Sequence, residues 1–187
     1  MTGLAINGNT EIIAHIGFPT HAFKAPMIYN PWFQNAGVNA VVVPMGCRAE
    51  HYPDFLRSVF KLANIRGALI TMPHKVTTVG LLDDVLPTAA IAGACNAVRL
   101  GPNGQLQGDM FDGEGFVRGV LRKGLKLKGT SALVVGSGGG GLCHCSVAGG
   151  SGHSAPGPVR RQRRLGRWPG GPPARSLPGA ASGHRHQ

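Results

Sequence analysis

Three short patterns place chemically able side chains at the ends of apolar runs: Gly67-Ala-Leu-Ile-Thr-Met-Pro-His-Lys75, Gly93-Ala-Cys-Asn-Ala97 and Gly108-Asp-Met-Phe-Asp-Gly-Glu-Gly115. They supply an ammonium at Lys75, a carboxylate at Asp112, a carboxamide at Asn96 and a hydroxyl at Thr71. Taken singly, each has a plain reading: Lys75 a solvated lysine, Asn96 a turn former, Asp112 a helix N-cap. Their order, and the glycine-rich stretch downstream of them, argue against three unrelated surface features. Thr130-Ser-Ala-Leu-Val-Val135 reads as a buried parallel strand running into Gly136-Ser-Gly-Gly-Gly-Gly141, a G-x-G-x-x-G turn. A turn of that kind holds a dinucleotide pyrophosphate against the N-terminus of the helix after it.

The elements that must position these groups alternate between strand-like and helix-like patterns over residues 10–141, which predicts an α/β fold with parallel strands. Glu11 to Ile16 reads as a strand closed by Gly17 and Pro19, and Pro26 to Asn35 as a helix stopped at Gly37. Asn39 to Pro44 is a short apolar strand, and Tyr52 to Ala63 an amphipathic helix carrying Phe55, Val59, Phe60 and Leu62. Gly67 to Thr71 is the next strand. Ala97 to Leu100 and Gln105 to Gln107 flank Gly101-Pro-Asn-Gly104, a hairpin by its turn chemistry. Gly113 to Lys123 reads as a helix, with a polar link from there to the strand of the glycine turn.

Composition divides the chain. The net charge of +11 suggests a nucleic-acid partner, but 7 of the 19 Lys and Arg are arginines in residues 142–187, a segment without Asp, Glu or Lys. Residues 1–141 are left with 12 basic against 8 acidic groups, an ordinary balance of +4. The segment 142–187 holds 9 Gly, 6 Pro and one aromatic, Trp168, too little apolar matter to offset its ordering entropy. As written it is expected to be disordered, and its single aromatic makes nucleic acid an unlikely partner. One account of it uses the genetic code. Codons compatible with residues 142–149, read one base later, spell Ser-Ala-Ile-Ala-Ala-Ser-Leu, an apolar helix suited to a place after a dinucleotide turn. The same shift near residues 159–164 yields a strand end with an aspartate about 20 positions past the glycines, where a ribose-binding carboxylate belongs. A tail out of frame is the expectation. The alternative is a genuine interaction arm on a non-catalytic small-molecule binding module.

No run of about 18 apolar residues predicts a membrane span, and the opening Met1-Thr-Gly-Leu-Ala lacks the marks of a signal peptide. Isolated Cys47 and Cys95 suit reduced thiols, so a cytoplasmic location is expected. Cys143-His144-Cys145 lacks a second ligand pair at a recognisable spacing, and no metal site is expected. His21 and His74 have no evident partner in the sequence and read as loop residues.

In the order and spacing of its motifs the chain resembles the shikimate dehydrogenase family, the shikimate and quinate oxidoreductases, over roughly residues 10–141. The resemblance rests on a strand leading to T-x-P-x-K, an Asn in a G-x-x-N-A turn, an aspartate in a D-x-x-G segment, and the glycine-rich turn. It implies an αβα substrate-binding domain over 1–123, then an incomplete Rossmann-type nucleotide-binding domain. Of the latter, residues 124–141 would be linker, first strand and glycine loop, and 142–187 the basic tail. Carried over, Lys75 and Asp112 are the catalytic pair flanking a substrate hydroxyl, and Thr71 and Asn96 contact substrate. Gly136, Gly138, Gly139 and Gly141 meet the pyrophosphate of NAD(P). Hydride transfer from a secondary alcohol requires its hydroxyl proton to leave as the carbonyl forms, and an ammonium beside a carboxylate serves that step. A small molecule is the implied partner, and a homodimer is left open.

The chain also departs from the family pattern. In Gly17-Phe-Pro-Thr-His-Ala-Phe-Lys-Ala-Pro26, Phe23 and Ala25 stand where the family has two carboxylate-binding serines. Leu69 replaces an asparagine, and Met110-Phe111 an Asn-Thr pair. Each hydrogen bond lost to an ionised group is worth about 1.5–3 kcal/mol, which sets shikimate itself in question. Lys24 is either a point charge for a ligand carboxylate or a plain surface lysine.

Overall fold

A computed structural model describes residues 6–127. The strand and glycine turn at 130–141 and the basic tail at 142–187 lie outside the described residues. The described chain forms six strands and five helices, β1 Glu11–Gly17, α1 Ala25–Asn35, β2 Ala40–Gly46, α2 Tyr52–Val59, β3 Ile65–Ile70, α3 Lys75–Val79, β4 Asp84–Val85, α4 Pro87–Ala92, β5 Ala97–Leu100, β6 Leu106–Asp109 and α5 Asp112–Arg122.

The strands make one sheet in the order β2-β1-β3-β5-β6-β4. β1 pairs in parallel with β2 and with β3, as the apolar β-branched runs predict. In the other half β5 and β6 form the antiparallel hairpin expected from the turn between them, β4 joins β6 in parallel, and the departure from parallel strands is β5, which runs antiparallel to β3 as well. The hairpin closes at the tight turn from Gly101 to Gly104, where Gly104 takes φ +77°, a conformation glycine adopts without steric cost. A two-strand hairpin is antiparallel by construction.

Alternation along the strands divides two cores. Ala14, Ile16, Ala68, Ile70 and Val98 point to one face, where Tyr52, Leu56, Val59 and Met110 cover them. On the other face Ala40 and Val42 pack with Phe33, flanked by Ile13 and Leu69. β2 is an edge strand, which explains how it accommodates Pro44. Its free edge is blunted by α1: the Val42 amide donates to Asn30 Oδ1 at 2.7 Å, and Asn30 Nδ2 donates to the Val42 carbonyl at 3.1 Å.

α2 buries Tyr52, Leu56 and Val59, one stripe at helical spacing, but stops at Val59 rather than Ala63. The turn tightens there, with Lys61 N donating to Ser58 O and Leu62 N to Val59 O, and delivers the chain into β3. α3, β4 and α4 went unread in the sequence because elements of five, two and six residues are too short to show a period. α4 ends at Gly93 with φ +60°. No helix among the described residues is long and apolar enough to cross a membrane.

Candidate active site

The parallel pairs align the carboxyl ends of β1, β2 and β3, and the reversed β5 brings its amino end to the same edge. Ile16 lies opposite Ile70 in the β1–β3 register, Leu69 opposite Ala97, and Ala97 opposite Asp109. Three backbone bonds tie the segments beyond these ends: Thr71 N to Ile16 O at 2.9 Å, Ile70 N to Asn96 O at 2.8 Å and Asn96 N to Asp109 O at 3.0 Å. The ends of the strands in an open α/β sheet are where such folds bind ligands. Here Thr71 and Lys75 follow β3, Asn96 precedes β5 and Asp112 follows β6.

Lys75 opens α3, and its Nζ donates to Asp112 Oδ2 at 2.5 Å. The other oxygen, Asp112 Oδ1, accepts from Asn96 Nδ2, also at 2.5 Å. Asn96 in turn accepts through Oδ1 from the Phe111 amide at 2.9 Å, just ahead of α5. A carboxylate, a carboxamide and an ammonium from three separate stretches therefore form one chain of hydrogen bonds. Asp112 does not cap its helix; it is the first residue of α5, and its side chain turns to the site. The pair is partly open to solvent, with side-chain exposures of 23% for Lys75 and 35% for Asp112. That exposure leaves room for a ligand hydroxyl at the ammonium and carboxylate.

Thr71 sits one residue beyond β3, and its methyl group lies over Gly17. A Cβ at Gly17 would be 2.8 Å from Met72 O and 3.0 Å from Phe23 Cζ, and would meet the Thr71 methyl more closely still. The absence of a side chain at Gly17 is what lets the Thr71 and Phe23 segments close on the end of β1. Lys24 is exposed at the start of α1 and makes no side-chain hydrogen bond or ion pair among the described residues, so the structure does not draw it into the Lys75–Asp112–Asn96 group. Gly136, Gly138, Gly139 and Gly141 lie outside the described residues.

Behind Lys75 stands a buried support that sequence reasoning missed. His74 sits in the bend ahead of α3, as expected, but has partners the sequence did not show: it is 1% exposed, stacks on Tyr52 at 3.9 Å between ring centroids, and donates from Nε2 to the Cys47 carbonyl at 2.8 Å. Burial lowers its pKa, so it stays neutral and serves structure rather than proton transfer. Tyr52 and Thr78 share a hydrogen bond at 2.6 Å, and the Thr78 hydroxyl donates to the His74 carbonyl at 2.8 Å. Burial pushes the Tyr52 phenol up and the Cys95 thiol to about 11, so neither ionises near neutral pH. This network fixes the helix that carries Lys75.

Asp109 also went unremarked. Its Oδ1 accepts from the amides of Ala89 and Met110 and so ties α4 to the turn that presents Asp112. A second site residue absent from the sequence reading is His15, whose ring packs against Phe23 at 4.2 Å between centroids, tilted by 36°. Burial first, and then the nearby Lys75 charge, lowers its pKa. The hint for both was position: each lies at the last turn of a strand that ends in the site.

The fold and site define a mixed α/β domain with a lysine–aspartate pair at its strand ends. Comparison shows what it is similar to: residues 16–98 match the model for the shikimate dehydrogenase substrate binding domain. The chain is 34% identical over 135 residues to shikimate dehydrogenase (NADP(+)) of Desulforamulus reducens, covering 72% of this chain and 46% of that one. It is 35% identical over 134 residues to the enzyme of the same name from Rubrobacter xylanophilus, covering 72% and 47%. Among solved structures, shikimate 5-dehydrogenase from Listeria monocytogenes in complex with shikimate and NAD superposes with a TM-score of 0.71 at 29% identity, over 76% of this chain and 49% of that one. The Thermus thermophilus enzyme in complex with shikimate gives 0.70 at 28%, over 77% and 54%. This chain is shikimate dehydrogenase-like, matched by family model, relatives and fold. It spans about half the length of the curated relatives it matches.

Proposed function

We propose that the described domain is the substrate half of an NAD(P)-dependent oxidoreductase, acting on a ring hydroxyl of a cyclic polyol of the shikimate and quinate type. The convergence of Lys75, Asp112 and Asn96 on one strand-end site carries this reading. A nicotinamide, when bound, takes or gives the hydride; the proton falls to this chain's own side chains. Lys75 Nζ donates a hydrogen bond to the substrate oxygen and stabilises the negative charge that gathers there as the hydroxyl proton departs. Asp112 accepts from the same hydroxyl and from Lys75, and Asn96 holds that carboxylate in place. The proton is shared across the pair, so neither is the sole base. Thr71 and, at the rim, Lys24 are the further substrate contacts in this reading.

The cofactor assignment rests on the strand and glycine run at residues 131–141, with Gly136, Gly138, Gly139 and Gly141 meeting the pyrophosphate, and on the relatives whose structures hold NAD or NADP. The Gly-, Pro- and Arg-rich composition after Gly141 is unlike a helix that would complete that site, so this chain as written binds nicotinamide poorly and turns over little. Residues 1–123 constitute the substrate domain in this proposal, 124–141 the opening of the cofactor domain, and 142–187 an out-of-frame tail.

Calorimetric titration of the full chain with shikimate, its carboxamide, quinate, NADH and NADPH tests both parts. At least one cyclic ligand binds, Lys75→Met abolishes that binding, and neither nicotinamide binds in the low micromolar range. Ligand affinity unchanged by Lys75→Met refutes the site; tight nicotinamide binding refutes the impairment.

A further inference from the structure

His15 ends the buried part of β1 with a hydrogen-bonding atom to spare. The residue is 7% exposed, and its Nδ1 is buried without a hydrogen-bond partner. Leaving a buried polar atom unpaired costs about 1–3 kcal/mol, and in a native structure such an atom calls for a function or an unseen partner. The ring lies two residues before the carboxyl end of β1, at the strand ends that carry the site. Phe23, from the loop that closes over Gly17, packs on it at 4.2 Å between ring centroids, tilted by 36°, and Leu69 is its register neighbour on β3. Lys75 is near enough for its charge to act on the imidazole.

Lys75 is matched by Asp112, so that pair is neutral as a whole. Arg48 and Lys24 are exposed, the guanidinium of Arg48 lying over the Phe18 ring at 4.8 Å from its centroid. His15 itself is flanked by the hydrocarbon of Phe23 and, across the sheet register, of Leu69. We infer, on the reading that this is a cyclic polyol site, that His15 is a specificity-determining residue: its Nδ1 bonds an uncharged group that both donates and accepts, a hydroxyl or a carboxamide, on the ligand's far end, so the site prefers a neutral polyol to an acid.

Two physical arguments separate the neutral ligand from the acid. A hydroxyl donates and accepts, so it satisfies Nδ1 in either tautomer, whereas a carboxylate only accepts. A carboxylate is served by one neutral tautomer only, and a charge-assisted bond to it needs an imidazolium, whose formation burial together with the Lys75 charge opposes. An anion set against Phe23 and Leu69 would lose its hydration, and Lys24, exposed to water at the rim, repays that loss only weakly.

The full chain is titrated calorimetrically with shikimate and with the primary carboxamide of shikimate, which share a ring and differ in charge. Wild type, His15→Leu, His15→Gln and Lys75→Met are compared, with urea midpoints taken for each. The carboxamide binds about tenfold or more tighter than shikimate, as the cost of stripping an anion implies. His15→Leu weakens the carboxamide about threefold to tenfold, the worth of one neutral hydrogen bond, while its urea midpoint holds or rises because the orphaned atom is gone. His15→Gln keeps more affinity than His15→Leu. Shikimate binding as tightly as its carboxamide, or His15→Leu leaving the affinity intact, overturns the assignment of His15. If Lys75→Met still abolishes binding in that case, the polyol site stands without it. Failure of both rings to bind wild type removes the site and this inference together.

Discussion

Asn96 is the hinge of the site, and replacing it with alanine isolates how the site is held. Its carboxamide gives one bond to a carboxylate, Asp112 Oδ1 at 2.5 Å, and accepts one from the Phe111 amide at 2.9 Å. A bond to a charged group contributes about 1.5–3 kcal/mol and a neutral one about 0.5–1.5 kcal/mol. Asp112 is 35% exposed, so water replaces part of what it loses. Discounting for that, Asn96→Ala destabilises by about 1–2 kcal/mol. With a urea slope of about 2 kcal/mol per molar, the midpoint falls by roughly 0.5–1 M. Asn96→Asp is the sharper variant, because it keeps the shape and sets a second carboxylate against Asp112. Near neutral pH it costs more than Asn96→Ala. The repulsion raises one native carboxylate pKa above its unfolded value, so the native state binds more protons and the deficit shrinks as the pH is lowered toward 4. Urea titrations monitored by tryptophan fluorescence at pH 7 and pH 4 read both effects. An Asn96→Ala midpoint within 0.2 M of wild type (about 0.4 kcal/mol at this slope), or Asn96→Asp no worse than Asn96→Ala at pH 7, refutes the bond network.

Gly17→Ala places a Cβ 2.8 Å from Met72 O and 3.0 Å from Phe23 Cζ, so it costs about 1–3 kcal/mol and weakens ligand binding together with stability; denaturant midpoints and titration check it. Tyr52→Phe removes one partner of Thr78 but leaves that hydroxyl bonded to the His74 carbonyl, and costs about 1 kcal/mol. Leu56→Ala, at a fully buried position of α2, costs about 2–5 kcal/mol in the same assay. His15 and His74 have lowered pKa values, so below about 6.5 the unfolded chain takes up protons that the folded chain resists. Stability therefore falls as the pH drops from 6.5 toward the lower folded values, and His74→Gln flattens that slope; unfolding midpoints between pH 7.5 and 5.5 read it.

The long apolar runs were legible because burial on both faces of a strand leaves no other reading. β1, β2 and β3 sit within two or three residues of where the alternation and closing glycines put them. The convergence of Lys75, Asn96 and Asp112 was legible because each lies just past or just before a strand-like run, and the ends of neighbouring strands meet in space. Whatever stayed hidden depends on tertiary contact. α3, β4 and α4 are too short for a period, and the reversal of β5 is fixed by pairing rather than by its own residues. His74 looked idle because its partners, Cys47 and Tyr52, are more than twenty positions away in the chain. His15 sits inside an apolar run and gave no signal until the fold set Phe23 on its ring.

The claim on which the rest depends is that Lys75 and Asp112 grip one hydroxyl of a cyclic polyol. A crystal structure of the full chain soaked with shikimate or its carboxamide tests it most directly. A ring hydroxyl oxygen within about 3 Å of both Lys75 Nζ and an Asp112 carboxylate oxygen is the predicted result. A ring seated elsewhere, or seated at the strand ends with its hydroxyls turned away from both groups, contradicts it.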